Sequence, residues 1–155
     1  MIFPPALQQP SPASDAAAMA AIGAFLDDLH AAAASADEAR YFGHYDEHAV
    51  FLGTDATERW TKAQFQAYAH PYFAQGKAWS FKATRRAITV APGGRLAWFD
   101  EDLATPNLGP CRGSGVLILT AGGWKLTQYN LAFTVPNGVA KDVKATIAAF
   151  LASGK

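Results

Sequence analysis

The run from Cys111 to Val135 constrains this chain most. Two β-rich segments, Cys111 to Leu119 and Trp124 to Val135, meet at Ala121-Gly122-Gly123, where glycine takes positive φ without steric cost. The pattern predicts a long hairpin. In its second strand Trp124, Leu126, Gln128, Asn130 and Ala132 alternate with Lys125, Thr127, Tyr129, Leu131, Phe133 and Val135, so the two sets point to opposite faces. Both faces are largely apolar. One can cover helices, and the other needs a second partner, because an open apolar patch of that size is unusual on a soluble monomer.

Upstream, the periodicity is helical. Ser14 is placed to N-cap a helix from Asp15 to about Ala34, whose Met19, Ile22, Leu26 and Leu29 recur at spacings of three and four. Ser35-Ala36-Asp37-Glu38 reads as a capping box for a shorter helix carrying Tyr41, Phe42 and Tyr45 inward. Ala49 to Gly53 reads as a short strand. Thr61-Lys62-Ala63-Gln64 is a second capping box, opening a helix with Phe65, Tyr68, Ala69, Tyr72 and Phe73 on one side. Pro71 predicts a kink or break near His70, with closure at Gly76. From Trp79 the period drops to two, giving four consecutive strands over 79–90, 95–104, 111–119 and 124–135, an antiparallel meander. Strands this long must curl, with Gly113, Gly115 and Arg85-Arg86 as the expected bend positions. A final amphipathic helix spans 139–153, with Val143, Ile147 and Phe150 or Leu151 on one side.

Composition enters through what it excludes. At 155 residues the chain fits one domain, read here as residues 14–155 behind a flexible arm over 1–13. Its 13 basic and 13 acidic side chains balance, so the basic excess expected of a nucleic-acid partner is missing. Cys111, the single cysteine, excludes an internal disulfide framework and a cysteine-rich zinc site. No stretch reads as reaching the roughly 18 apolar residues of a membrane span, so no membrane partner is expected. The proline-broken start lacks a basic region, which favours cytoplasm over a periplasmic protein whose leader has been removed.

Three helices with a strand between the second and third, followed by four long curled strands, resemble the nuclear transport factor 2-like superfamily. Phe51-Leu52-Gly53-Thr54-Asp55-Ala56-Thr57-Glu58-Arg59-Trp60, Trp98-Phe99-Asp100-Glu101, Arg112-Gly113-Ser114-Gly115-Val116-Leu117 and Gly123-Trp124-Lys125-Leu126 look like its SnoaL-like branch, over residues 15 to 135. The resemblance implies an α+β cone, a curled antiparallel sheet wrapped around N-terminal helices. It also implies a pocket between sheet and helices, dimers formed through the outer sheet face, and no obligatory cofactor. It does not fix a reaction, since the superfamily mixes isomerases, cyclases, dehydratases and non-catalytic modules. Asn130 stands where relatives often carry a histidine, which weakens an acid-base role there.

With the Trp124 and Leu126 face concave, Gln128 and Asn130 point into the pocket, joined by Trp98 and Asp100 from the preceding strands. A carboxylate beside Trp98 would be desolvated, which suits a general base; Asp100 or Asp102 can equally pair with Arg112 across the hairpin. Arg112 is a candidate carboxylate clamp, and its face depends on the turn. A two-residue loop pairs residues of opposite parity, whereas a three-residue loop with a glycine bulge turns Arg112 and Ser114 inward. Asp55 reads as an acid or base near the mouth with Trp60 as a wall, or as a turn aspartate capping local amides. His44 is a candidate pocket-lining residue; His44-Tyr45-Asp46-Glu47-His48 satisfies a zinc-protease pattern, but the helix it requires ends too early, so no metal is expected. Phe65, Tyr68, Tyr72, Trp79 and Phe81 read as core.

The expected function is therefore cofactor-free binding of a small, largely apolar molecule, with catalytic candidates Asp100 and Asp55 and ligand-binding candidates Trp60, Trp98, Arg112, Gln128, Asn130 and His44. The competing reading is a structural or interaction module whose pocket is filled by its own side chains. In both, the homodimer uses the outer face, assigned to Phe99, Tyr129, Leu131 and Phe133.

Overall fold

The computed structural model describes residues 12–154, so the expected arm over 1–13 lies, apart from Pro12 and Ala13, outside the described residues. Helix α1 (Pro12–Ala34) opens at Pro12 rather than after a Ser14 cap. A proline in the first turn lacks only an N–H that the helix leaves unpaired anyway. Ile22, Leu26, Leu29, Ala32 and Ala33 form its buried stripe. By length and composition Ser14–Ala34 is apolar enough to cross a membrane, contrary to expectation. It serves here as the core helix, with Asp27, Asp28 and His30 all bonded to side chains of other elements.

Ser35 ends α1 instead of starting α2 (Glu38–Gly43): its hydroxyl donates to the Ala31 and Ala32 carbonyls, and Asp37 caps α2 by accepting from the Arg40 amide. Tyr41 and Phe42 are buried as expected, but Tyr45 already belongs to β1 (Tyr45–Leu52). Strand β2 (Arg59–Thr61) has no apolar run of its own and takes its strand form by pairing with β1. Helix α3 (Lys62–Ala74) carries the complete Thr61–Gln64 capping box. It runs through Pro71 to Ala74 rather than breaking at His70, because Pro71 falls in the last turn, where one missing donor disrupts little.

Strands β3 (Lys82–Val90), β4 (Leu96–Ala104), β5 (Cys111–Thr120) and β6 (Gly123–Phe133) form the expected meander. The sheet has order β2-β1-β6-β5-β4-β3 and is mixed rather than wholly antiparallel, since β1 runs parallel to β6. It is a curled open sheet with the helices on its inner face: α1 lies over β3, α3 over β1 and β2, and α2 between them. After a 3-10 turn (Asn137–Val139), α4 (Ala140–Ala152) ends the fold with no residue buried.

One irregularity decides which residues face inward. The turn at Ala121-Gly122 pairs Leu119 with Trp124 and Leu117 with Leu126, but Val116 then pairs with Gln128. Thr127 is the extra residue of a bulge, and it inverts the alternation. Leu126 is therefore buried on the inner face, and beyond the bulge it is Tyr129 and Leu131 that are buried, not Gln128 and Asn130. The turn is thus a two-residue one, at Ala121-Gly122; like-with-like pairing arises only beyond the Thr127 bulge, and there Arg112 and Ser114 stay on the outer face rather than turning inward. Gly113 and Gly115 serve close packing in this curled sheet: a Cβ on Gly113 would meet the Tyr129 hydroxyl, and one on Gly115 the Gln128 carbonyl and the Phe99 ring.

Candidate functional site

Between the sheet and helices lies a cavity of about 230 Å³. Its walls are aromatic and aliphatic: Phe51, Trp60, Phe65, Trp79, Tyr129 and Leu131 are among them. Several rings share one orientation. Phe51 and Phe65 stack at 3.8 Å and 13°, Phe51 and Tyr129 lie within 2° of parallel, and Trp60 and Trp79 are tilted from Phe65 by 12° and 17°. Tyr41 stands across this stack, at 71° to Phe65 and 79° to Trp79. Thr54, Tyr68 and Leu108 are the exposed residues around its opening.

Among the lining residues His30 has both its position and its proton chemistry defined by neighbours. It follows Leu29 on the buried side of α1, and its Nε2 lies 2.7 Å from Oε2 of Glu101, a fully buried carboxylate on β4. The other oxygen, Oε1, accepts from Arg86 Nε at 2.5 Å. Arg86 in turn donates to the Gly23 carbonyl and to Asp27 Oδ1. A carboxylate has no proton to give, so Nε2–H of His30 is the donor, and in the neutral imidazole Nδ1 is then the nitrogen that carries the lone pair. Nδ1 has no hydrogen-bond partner among the described residues. A buried carboxylate orienting an imidazole at a pocket wall is an arrangement suited to moving a proton.

Hydroxyl groups add polarity. Tyr41, also lining the cavity, bonds Tyr45 hydroxyl to hydroxyl at 3.0 Å, and burial pushes its phenol up to about 12. Burial likewise holds Tyr45 and Tyr129 well above the ordinary tyrosine value, with the nearby Glu101 charge adding to the effect on Tyr129. All three stay protonated, and therefore able to donate, across the physiological range.

Of the residues expected from sequence, Trp60 lines the cavity. Trp98, Asp100, Arg112, Gln128 and Asn130 lie in register on the opposite, outer face. Trp98 is 46% exposed. Asp100 accepts from Arg85 at 2.9 Å, and Asp102 from the same guanidinium at 2.7 Å with Arg112 at 3.8 Å. Arg85 holds the Asp102 carboxyl below its ordinary value. The Asp100 and Arg112 assignments are thus corrected to an exposed ion-pair cluster. Asp55 is a turn residue: its Oδ1 accepts from the Thr57 amide and hydroxyl, which lower its pKa. His44 fastens α2 to α1, with Nδ1 on the Arg40 carbonyl and Nε2 3.0 Å from Asp28, and does not reach the cavity. No three metal-ligating side chains converge among the described residues. Phe99, Tyr129 and Leu131, assigned to an outer dimer face, are buried on the inner one, and Phe133 alone of that set is exposed. Phe65, Tyr68, Trp79 and Phe81, expected as core, also line the cavity.

His30 and Glu101 were missed, although both carried a signal. His30 sits four residues after Leu26, on the predicted apolar stripe, and Glu101 alternates with Phe99 and Leu103. A buried acid on one strand beside the Arg85-Arg86 doublet of its neighbour calls for a pair.

Residues 22–136 match the family model for a SnoaL-like domain. No curated protein matches the chain. Among solved structures it is similar to a candidate scytalone dehydratase from Novosphingobium aromaticivorans, with TM-score 0.70 at 10% identity over 81% of this chain and 89% of that one. A candidate ketosteroid isomerase from Parabacteroides distasonis superposes with TM-score 0.60 at 16% identity, over 74% and 86%. A candidate aromatic ring hydroxylase, also from Novosphingobium aromaticivorans, gives 0.66 at 21%, over 82% and 94%. At these identities the likeness is one of fold.

Proposed function

The chain belongs to the SnoaL-like family, and from that premise we propose that its cavity binds a small, flat, largely apolar molecule bearing a carbonyl, with His30 as the proton-transferring group. The observation that carries this is the His30–Glu101 contact at the wall of a ring-lined cavity. His30 Nδ1 takes a proton from the carbon next to the carbonyl; an N–H bond forms, the C–H bond breaks, and the electron pair moves to the carbonyl oxygen as an enolate. The Glu101 carboxylate stabilises the resulting imidazolium, and the Tyr41 hydroxyl, also on the wall, is suited to donate to the enolate oxygen. Return of the proton to a different carbon gives an isomerase, and its delivery to a departing hydroxyl gives a dehydratase that releases water. The dehydratase and isomerase names carried by similar folds agree with this chemistry.

The test uses β-tetralone in heavy water, with deuterium uptake next to its carbonyl followed by NMR, and β-naphthol as a binding probe quenching tryptophan fluorescence. The full chain is expected to bind β-naphthol and speed exchange, and His30→Ala to bind but lose the acceleration. Binding abolished by Leu131→Trp would locate the probe in the cavity. No saturable β-naphthol binding ends the reading, and exchange unaffected by His30→Ala removes its catalytic half.

Self-association is proposed on the outer face, through Leu96 and Trp98, which are left exposed there beside Val116 and Ile118. Solution mass should report a dimer that Trp98→Asp converts to monomer, and a monomer at micromolar concentration in the unmodified chain would dismiss it.

A further inference from the structure

The feature left unused by the fold is α4, and we infer that it is a lid that closes its apolar side over the cavity mouth of its own chain, a closure that a bound ligand favours. This rests on the reading of the cavity as a binding site. Val143, Ile147, Phe150 and Leu151 share one side of a regular helix, yet Ile147, Phe150 and Leu151 are all more than half exposed. A helix of thirteen residues with this face unburied gains little from its own propensity alone.

Its tether begins at the mouth. Leu131 of β6 lines the cavity, and two residues beyond it Phe133 pairs with Cys111. Thr134 then bonds the Pro110 carbonyl through both its amide, at 3.2 Å, and its hydroxyl, at 3.0 Å. Pro110 closes the loop that places Leu108 on the rim, so the chain is anchored beside the opening just before α4 starts. Pro136 has no amide to donate, and Gly138 has no atom crowding its missing Cβ; the backbone bonds of the 3-10 turn between anchor and helix, Val139 to Pro136 and Ala140 to Asn137, are its own, so the turn can pivot as a unit. At about 1.5 Å per residue α4 is about 20 Å long.

The opening offers matching chemistry. Tyr68 and Leu108 are apolar side chains left exposed on its rim. Glu58, also on the wall, accepts from the Asp55 amide and has no cation beside it among the described residues. Lys144 flanks the apolar side of α4 and likewise has no acidic partner among those residues. Closure brings apolar surface onto apolar rim and an unpaired lysine toward an unpaired carboxylate. The competing destination, the outer sheet face of a second copy, already has Arg85 and Arg112 matched to Asp100 and Asp102, so it offers that lysine no free charge.

The test places cysteines at Leu108→Cys and Leu151→Cys in a Cys111→Ala background. Mild oxidation should link them within one chain, at a yield independent of protein concentration, while Leu96→Cys with Leu151→Cys should not link. β-Naphthol should leave the linked protein at least tenfold more slowly than the reduced one. In the unmodified chain, amide hydrogen exchange over 140–152 should slow on saturation with β-naphthol. Absence of the 108–151 link, a link only between chains, or exchange in α4 unchanged at saturation overturns the lid. A link that forms while the reduced protein takes up no β-naphthol keeps the closure and overturns the cavity reading alone.

Discussion

His30 Nε2 and Glu101 Oε2 stand 2.7 Å apart, and this contact joins the buried side of α1 to the inner face of β4 at the wall of the cavity. Glu101 is fully buried, while Arg86, on its other oxygen, retains little exposure. The carboxylate is therefore a structural centre as well as the group that sets the imidazole. Glu101→Ala removes the buried carboxylate from a largely buried guanidinium, leaving it Asp27 and the Gly23 carbonyl, and takes the acceptor from His30; breaking a buried pair typically costs about 3–5 kcal/mol, and proton exchange should be lost with it. The denaturant midpoint should fall accordingly. The double variant Glu101→Leu with Arg86→Met should recover most of that loss, because a buried pair is often replaceable by apolar groups of similar volume, while proton exchange stays lost.

Asp100→Asn should change neither β-naphthol affinity nor β-tetralone exchange. Asp100 shares the outer face with Trp98 and Asn130, and its contact is the exposed Arg85 guanidinium. Exposed pairs of this kind contribute about 0–1 kcal/mol, so stability should move by less than 1 kcal/mol. A loss of exchange activity in this variant would place the chemistry on the other side of the sheet.

How much of this was legible in the sequence turns on Thr127. The order of elements, the hairpin and the α3 capping box follow from period, glycine placement and Thr61–Gln64 alone. So does the family resemblance. The inward set of β6 did not, because parity is carried unchanged along a strand only where no bulge intervenes, and both faces of this strand are apolar enough to hide the switch. Reading on from Trp124 and Leu126 put Gln128 and Asn130 inside, and the same parity carried Trp98 and Asp100 with them. Short β2 was invisible for a different reason: Arg59-Trp60-Thr61 is a strand only because β1 offers it an edge.

Gly115→Ala should destabilise the fold more than Gly113→Ala. At Gly115 the added methyl meets the backbone carbonyl of Gln128 and the Phe99 ring, neither of which can retreat without moving the sheet. At Gly113 the obstacles are the Tyr129 hydroxyl and a Leu103 methyl, the ends of side chains. Overpacking of the first kind costs about 1–3 kcal/mol. Thermal or denaturant unfolding of the two variants gives the order, and Gly113→Ala should also perturb the Tyr129 wall of the cavity and weaken β-naphthol binding.

The buried phenols set an alkaline limit. Burial raises Tyr41 from 10.0 to about 12, and shifts Tyr45 and Tyr129 the same way. A tyrosine with a raised folded-state pKa holds its proton more tightly folded than unfolded. The stability it lends is whole below the unfolded value and is lost as pH rises through the folded one, which for Tyr41 is the window from about 10 to about 12. Tyrosinate absorbance and circular dichroism followed together should then show these three side chains ionising with unfolding rather than ahead of it. Tyr41→Phe separates the two effects. At neutral pH it forfeits the hydrogen bond to Tyr45 and should be less stable by about 1 kcal/mol. Above pH 10 it no longer has a buried phenol to deprotonate, so its stability should decline less steeply, and the gap between variant and parent should narrow as the solution becomes more alkaline. Parallel stability curves for the two proteins would mean that Tyr41 ionises as freely inside the fold as outside it.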